Sequence, residues 1–155
     1  MELNILLLSV IKHDTQLERI IIVSNQNGIE SGLVSLESFE AKFQYVMKCV
    51  SDYTGIPVSG SYCTSGDASC GFRKPNTDML ESLFCECAGY SKKDCLMIGS
   101  KAPFSDDNEK TAKNFGIDYM DADEFIENVF DANAYVPEMF CGTPDACCGE
   151  TCAKQ

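Results

Sequence analysis

Basic residues are scarce in this sequence: 12 lysines and arginines stand against 24 acids, for a net charge of −12. That balance argues against a broad nucleic-acid-binding surface or a polybasic membrane contact and leaves room only for a local basic site. Histidine is scarcer still. His13 reads as a solvated helix residue, because no acid or nucleophile is placed beside it to make it a general base. Long apolar runs are missing too, with none reaching the roughly 18 to 20 residues needed to span a bilayer. Met1-Glu2-Leu3-Asn4 has no basic region and no small-residue cleavage site follows, so the reading expects no signal peptide and an intracellular domain without a membrane partner. No internal repeat is visible, and 155 residues suit one domain with a real core.

Cysteine, by contrast, is abundant, with 10 in the chain. Cys49, Cys63, Cys70, Cys85, Cys87 and Cys95 are spread through the body of the sequence and read as small buried or half-buried thiols. Cys141, Cys147, Cys148 and Cys152 crowd the end as C-x5-C-C-x3-C, which lacks the paired C-x2-C knuckles of a zinc site. Pro137, Gly142, Pro144 and Gly149 interrupt any periodicity there, so residues 131–155 read as a Cys-rich tail.

The body alternates two periodicities. Leu3, Leu6, Leu7, Val10 and Ile11 recur at helical spacing, predicting a helix from Leu3 to about Glu18. Arg19 to Val23 is a β-branched run of the kind buried on both faces of a parallel sheet, ending in a turn at Ser24-Asn25-Gln26-Asn27-Gly28. Ser35 can cap a helix striped by Leu36, Phe39, Phe43, Val46, Met47 and Val50, which Gly55-Ile56-Pro57 ends. A short strand and an exposed loop fill Val58 to Phe72. Arg73-Lys74-Pro75 then leads into a helix packed through Met79, Leu80, Leu83, Phe84 and Cys87. Cys95 to Gly99 is a second buried strand. Ser105 can cap a helix opened by Asp106, Asp107 and Glu109 and stopped by Gly116; Ile117 to Met120 and Ala122 to Phe130 form the last strand and helix. Alternation of this kind predicts an α/β fold, an open and mostly parallel sheet with helices on both faces.

In such folds ligands sit beyond the carboxyl ends of the strands, which directs attention to Ser24-Asn25-Gln26, to Arg73-Lys74, and to Ser100 with Asp106 and Asp107. A hydroxyl, an amide pair and an ammonium converging there suit a phosphate, because each offers a donor to a phosphoryl oxygen. Taken singly, Ser24 to Gly28 is equally well a plain turn and Lys74 a solvated cation.

Ile21 to Ile29, with Gly32 four residues after Gly28, resembles the second motif of haloacid dehalogenase-like phosphatases, T/S-N-Q-x-G-I-x-x-G. Gly71 to Met79 resembles the third motif of polynucleotide 3′-phosphatases, commonly R-K-P-x-T-G-M. Phe104 to Asn108, Asn114 to Ile117 and Asp123-Glu124-Phe125 look like that family's F-S-x-x-D, A-L-N-x-G-I and P-E-E-F segments, so the likeness runs from about Leu3 to Ile126. It implies a partial phosphatase domain over residues 1–130 in a Rossmann-type fold, with Ser24 and Lys74 as catalytic contacts to the phosphoryl group and Asn25, Gln26 and Arg73 supporting substrate binding. The activity it implies is removal of 3′-phosphates from DNA ends in strand-break repair, with Mg2+ as cofactor and an aspartyl-phosphate intermediate.

Two departures qualify that reading. The family's first motif, a D-x-D-G-T segment ending the first, central strand and carrying the nucleophile, does not occur here. Where the family has Gly-Asp after a later strand, this chain has Gly99-Ser100, so a divalent cation would depend on Asp106 or Asp107, which serve equally as helix-opening acids. Losing a nucleophile and a metal ligand together removes most of the roughly 8 kcal/mol that even a modest enzyme supplies. The reading is therefore a 3′-phosphatase-type domain that is weak or inactive alone. Alternatives are half of a split phosphatase whose missing strand comes from a second chain, a non-enzymatic interaction or metal-handling protein acting through its tail, and a relative of the histidinol-phosphate and heptose-bisphosphate phosphatases. The last share Asn-Gln-x-Gly-Ile and carry a zinc loop before R-K-P, but their C-x-H opening and C-x-C ending are missing here.

Overall fold

A computed structural model of the chain describes residues 4–14, 16–85, 89–100 and 107–133. Asn4 opens the first helix by accepting the Leu7 N–H on its side chain at 3.0 Å, and α1 runs Ile5–His13. It is shorter than its apolar spacing predicts because the Asp14 carboxylate accepts the Gln16 N–H at 2.9 Å, a local turn that competes with further helix. Leu8, Val10 and Ile11 are buried, while Leu6 of the expected stripe is exposed.

The first strand, β1 (Ile20–Asn25), continues two residues beyond the expected stop, since Ser24 and Asn25 pair with Tyr62 and Cys63 of β2 (Val58–Cys63) in a parallel register. The turn expected at Ser24 to Gly28 is thus a strand end followed by a single helical turn, α2 (Asn27–Glu30). Ser35 caps α3 (Leu36–Thr54) at 3.2 Å from the Ser38 N–H, and Gly55 closes it at φ 75°, a left-handed conformation that glycine adopts without strain. Phe39, Phe43 and Val50 carry its buried face, whereas Leu36 is exposed. Phe39, Phe43 and Tyr62 form an aromatic cluster with centroids 4.7 to 5.5 Å apart. Gly60 permits this packing: a Cβ there would stand 2.7 Å from Phe43 Cζ and 2.9 Å from the Ile22 carbonyl oxygen.

In the second half, α4 (Asp78–Cys85) buries Met79, Leu80 and Leu83, and a 3-10 turn at Lys92–Asp94 leads into β3 (Leu96–Gly99). Then come α5 (Asp107–Phe115), ended by Gly116 at φ 85°, β4 (Asp118–Asp121), and α6 (Ala122–Asn133). The caps expected from Ser105 and Asp106, Cys87, and the tail beyond residue 133 lie outside the described residues.

The fold is mixed α/β with parallel strand pairs, and the open sheet expected, itself short of the first, central strand, is divided in two. Among the described residues β1 pairs with β2 and β3 with β4, giving two two-stranded sheets with no hydrogen-bonded link between them. Ile20 to Val23, read as buried on both faces, are only half-buried, as befits a strand with one edge unpaired. Other contacts hold the halves together. Helix α1 packs on both α3 and α6. Tyr90 donates to Glu18 at 2.6 Å ahead of β3 and β1, and Asn114 donates from α5 to the Pro75 carbonyl at 3.0 Å. No described helix is long and apolar enough to cross a membrane.

Candidate functional site

Parallel pairing brings the carboxyl ends of β1 and β2 to one side, and the polar residues there are tied into a single network. Gln26 extends the ladder by donating its backbone N–H to the Cys63 carbonyl at 2.7 Å, and its side-chain Nε2 donates to Ser24 Oγ at 2.7 Å. Ser24 Oγ is therefore an acceptor toward Gln26, which leaves its own proton to be donated elsewhere. Asn25 reaches across to the loop after β2: its Nδ2 donates to the Lys74 carbonyl at 3.1 Å and its Oδ1 accepts the Lys74 N–H at 2.9 Å. With both ends of the amide engaged, Asn25 positions Lys74. The Lys74-Pro75 peptide is cis.

The Lys74 ammonium points back to the strand end, donating to the Val23 carbonyl at 3.5 Å and to Asn108 Oδ1 at 2.6 Å. Both acceptors are neutral, and among the described residues Lys74 forms no ion pair. Burial pushes its pKa down from the usual 10.5, and the Asp107 carboxylate, acting through space, raises it in part. A half-buried cation held by neutral groups is poised to gain from an anion placed beside it.

Asn108 completes the arrangement from the other half of the molecule, donating from Nδ2 to the Ser100 carbonyl at 3.4 Å. Gly99 makes room for it, since a Cβ there would lie 2.7 Å from that same Nδ2. The line Val23, Lys74, Asn108, Ser100 thus spans the distance from the end of β1 to the end of β3. Sequence reasoning gave Asn108 no role: it figured only as the last residue of the F-S-x-x-D likeness, where it stands in the place of the acid, and a polar residue in a helix's first turn reads as solvated.

Arg73 takes another direction, its Nη1 donating to the Ser65 carbonyl at 2.8 Å within the loop after β2. Asp107 opens α5 near Lys74, and Asp106 lies outside the described residues. No group of three or more His, Cys, Asp or Glu side chains able to hold a metal ion occurs among the described residues. With a neutral Ser100 and a cationic Lys74 here, the described side chains alone do not supply the oxygen-rich, multiply charged shell that magnesium takes.

Fold and site together define a parallel α/β protein whose polar groups gather beyond the carboxyl ends of its strands, the usual ligand position in that class. Residues 5–141 match the family model described as polynucleotide kinase 3 phosphatase. The chain belongs to that family and is a 3′-phosphatase-type domain. None of the curated proteins matches it.

Proposed function

We propose that this domain recognises the 3′-phosphate of a DNA end through the Ser24 hydroxyl and the Lys74 ammonium, and that by itself it is weak or inactive as a phosphatase. The carrying observation is the Lys74 ammonium, desolvated and held by the neutral acceptors Val23 O and Asn108 Oδ1. Gln26 orients Ser24 and Asn25 orients Lys74, while Arg73 stiffens the adjoining loop. Inactivity follows from the chemistry: no D-x-D-G-T segment supplies a nucleophile, and Ser100 stands where the family's later motif carries an acid. The haloacid dehalogenase-like, Rossmann-type arrangement belongs to this same reading, as does a role related to strand-break repair. A net charge of −12 repels DNA at long range, so the domain should take isolated ends in preference to duplex flanks.

The test is binding and turnover of a 3′-phosphorylated oligonucleotide, with its 3′-hydroxyl counterpart as control and magnesium present. The chain should bind the phosphorylated end more tightly and release no phosphate. Lys74→Ala should lose roughly 10- to 100-fold in affinity, the worth of one charged hydrogen bond. Turnover by the chain alone, abolished in Lys74→Ala, would overturn the inactive reading.

A split phosphatase is favoured by one specific observation: among the described residues β1 and β3 each have a strand partner on a single edge, and the Lys74–Asn108 line joins their carboxyl ends. An apolar strand from a second polypeptide, lying parallel between β1 and β3 and ending in a carboxylate, would pair both edges and set an acid beside Lys74. Adding a peptide of six apolar residues followed by Asp-x-Asp-Gly-Thr should slow amide exchange in both strands and start phosphate release. Unchanged exchange in β1 and β3 would rule this second reading out.

A further inference from the structure

The Sγ atoms of Cys63 and Cys70 stand 3.7 Å apart, at the two ends of the loop that joins β2 to Arg73 and Lys74. Cys63 closes β2 and is 3% exposed, whereas Cys70 is half-buried. Their approach is built in by the loop between them. Ser65 Oγ accepts the Asp67 N–H at 3.1 Å, the Asp67 carboxylate accepts the Ser69 N–H at 2.8 Å, and the Glu30 carboxylate accepts the Gly66 N–H. Arg73 holds the Ser65 carbonyl, and Asn76 Nδ2 donates to the carbonyls of Ala68 at 3.0 Å and Cys70 at 2.9 Å. A thiol contact of 3.7 Å needs a side-chain rotation and a small loop shift to reach the roughly 2.05 Å of a disulfide.

We infer that Cys63 and Cys70 form a reversible dithiol–disulfide pair, oxidised by small-molecule disulfides such as glutathione disulfide, that staples the loop leading to Arg73 and Lys74. The order of events follows from access. The Cys70 thiolate, the more exposed of the two, attacks a sulfur of glutathione disulfide, forming a mixed disulfide and releasing one glutathione thiolate. Cys63 loses its proton and attacks Cys70 Sγ, releasing the second glutathione. Two protein thiols are oxidised and one glutathione disulfide is reduced to two glutathiones, so electrons and protons balance. Cys63 suits the later role: it is shielded from external disulfides yet stands within 3.7 Å of Cys70 Sγ, and burial, which pushes its thiol pKa up, disfavours it as the first nucleophile. The staple would lie directly behind the site, because the Cys63 carbonyl accepts from Gln26 and the Cys70 carbonyl from Arg73.

The pair is tested on the full native chain, incubated with glutathione disulfide, acid-quenched and mapped by peptide mass spectrometry. The expected product is an internal disulfide joining Cys63 to Cys70, with roughly tenfold slower amide exchange over residues 64–72. Cys63→Ser should instead accumulate a persistent glutathione adduct on Cys70, and Cys70→Ser should leave Cys63 as a thiol. The unsubstituted chain oxidised in denaturant provides the reference should either variant fail to fold, since its 10 cysteines then pair by their separation along the chain and not by native geometry. A lasting Cys70 adduct in the native unsubstituted chain, or native pairing of Cys63 as scattered as in denaturant, would overturn the inference. Neither readout uses phosphate, so the result stands apart from the phosphatase reading.

Discussion

The β1–β2 half and the β3–β4 half share a parallel pairing and differ in how their carboxyl ends are furnished. At the end of β1, Ser24, Asn25 and Gln26 each have a defined hydrogen-bond partner, and the strands run six residues in register behind a 19-residue capped helix. At the end of β3 the register is four residues and Ser100 contributes its backbone carbonyl to Asn108. On the proposed reading it is the first half that holds the anion. The second, where the resembled family places a metal carboxylate, serves mainly to hold Asn108 against Lys74. On that reading anion recognition and metal-assisted chemistry would depend on different strand ends.

The largest expected effect tests whether the halves are also separate in stability. Phe43→Ala removes one fully packed ring of the Phe39–Phe43–Tyr62 cluster and should cost about 3–5 kcal/mol, read from urea unfolding. Amide exchange should accelerate more in β1 and β2 than in β3 and β4; equal acceleration in both sheets would break the comparison. Asn108→Ala comes next, at about 1.5–3 kcal/mol, because it strips a hydrogen bond from a half-buried charge. Since Asn108 is the link between strand ends, that variant should loosen β1 and β3 alike, and loosening of β3 alone would show that Lys74 does not depend on it.

Ser35→Ala should cost about 1 kcal/mol through the lost α3 cap, with exchange changes confined to the first half. The smallest effect concerns pH. Burial lowers the folded pKa of Lys74 below the usual 10.5, so between the folded and unfolded values the unfolded chain binds more protons. Stability should therefore rise through that window as pH climbs toward 10.5, relative to Lys74→Met, in which this contribution is flat. Parallel wild-type and Lys74→Met curves above pH 8 would mean that the ammonium is not desolvated.

Much of the fold was legible beforehand because it rests on local rules. The serine before α3 and the glycines after α3 and α5 lie where capping chemistry puts them, and β1, β3 and β4 were placed to within two residues of their limits, while β2 was placed only somewhere within Val58 to Phe72. The ends that moved did so for contacts with distant parts of the chain: β1 lengthened because Ser24 and Asn25 found Tyr62 and Cys63. Ser24, Asn25, Gln26 and Lys74 were picked out as residue types at strand ends, and the structure ties them into one network whose hydrogen-bond partners were not foreseen. Asn25, expected to support substrate binding, is engaged with the Lys74 backbone, Arg73 donates to the Ser65 carbonyl, and Asn108, which figured only as the last residue of the F-S-x-x-D likeness, accepts from Lys74.

Elements, caps and the order of the phosphatase-like motifs were determined by sequence alone, because each depends on residues within a few positions of one another. Tertiary structure decided that the described strands form two pairs, with β1 and β3 unjoined among the described residues, that Lys74 is held between a β1 carbonyl and a side chain of α5, and that Cys63 meets Cys70. These are meetings between separated parts of the chain, and which groups meet depends on how apolar faces pack and on which polar groups are left to satisfy one another once they have.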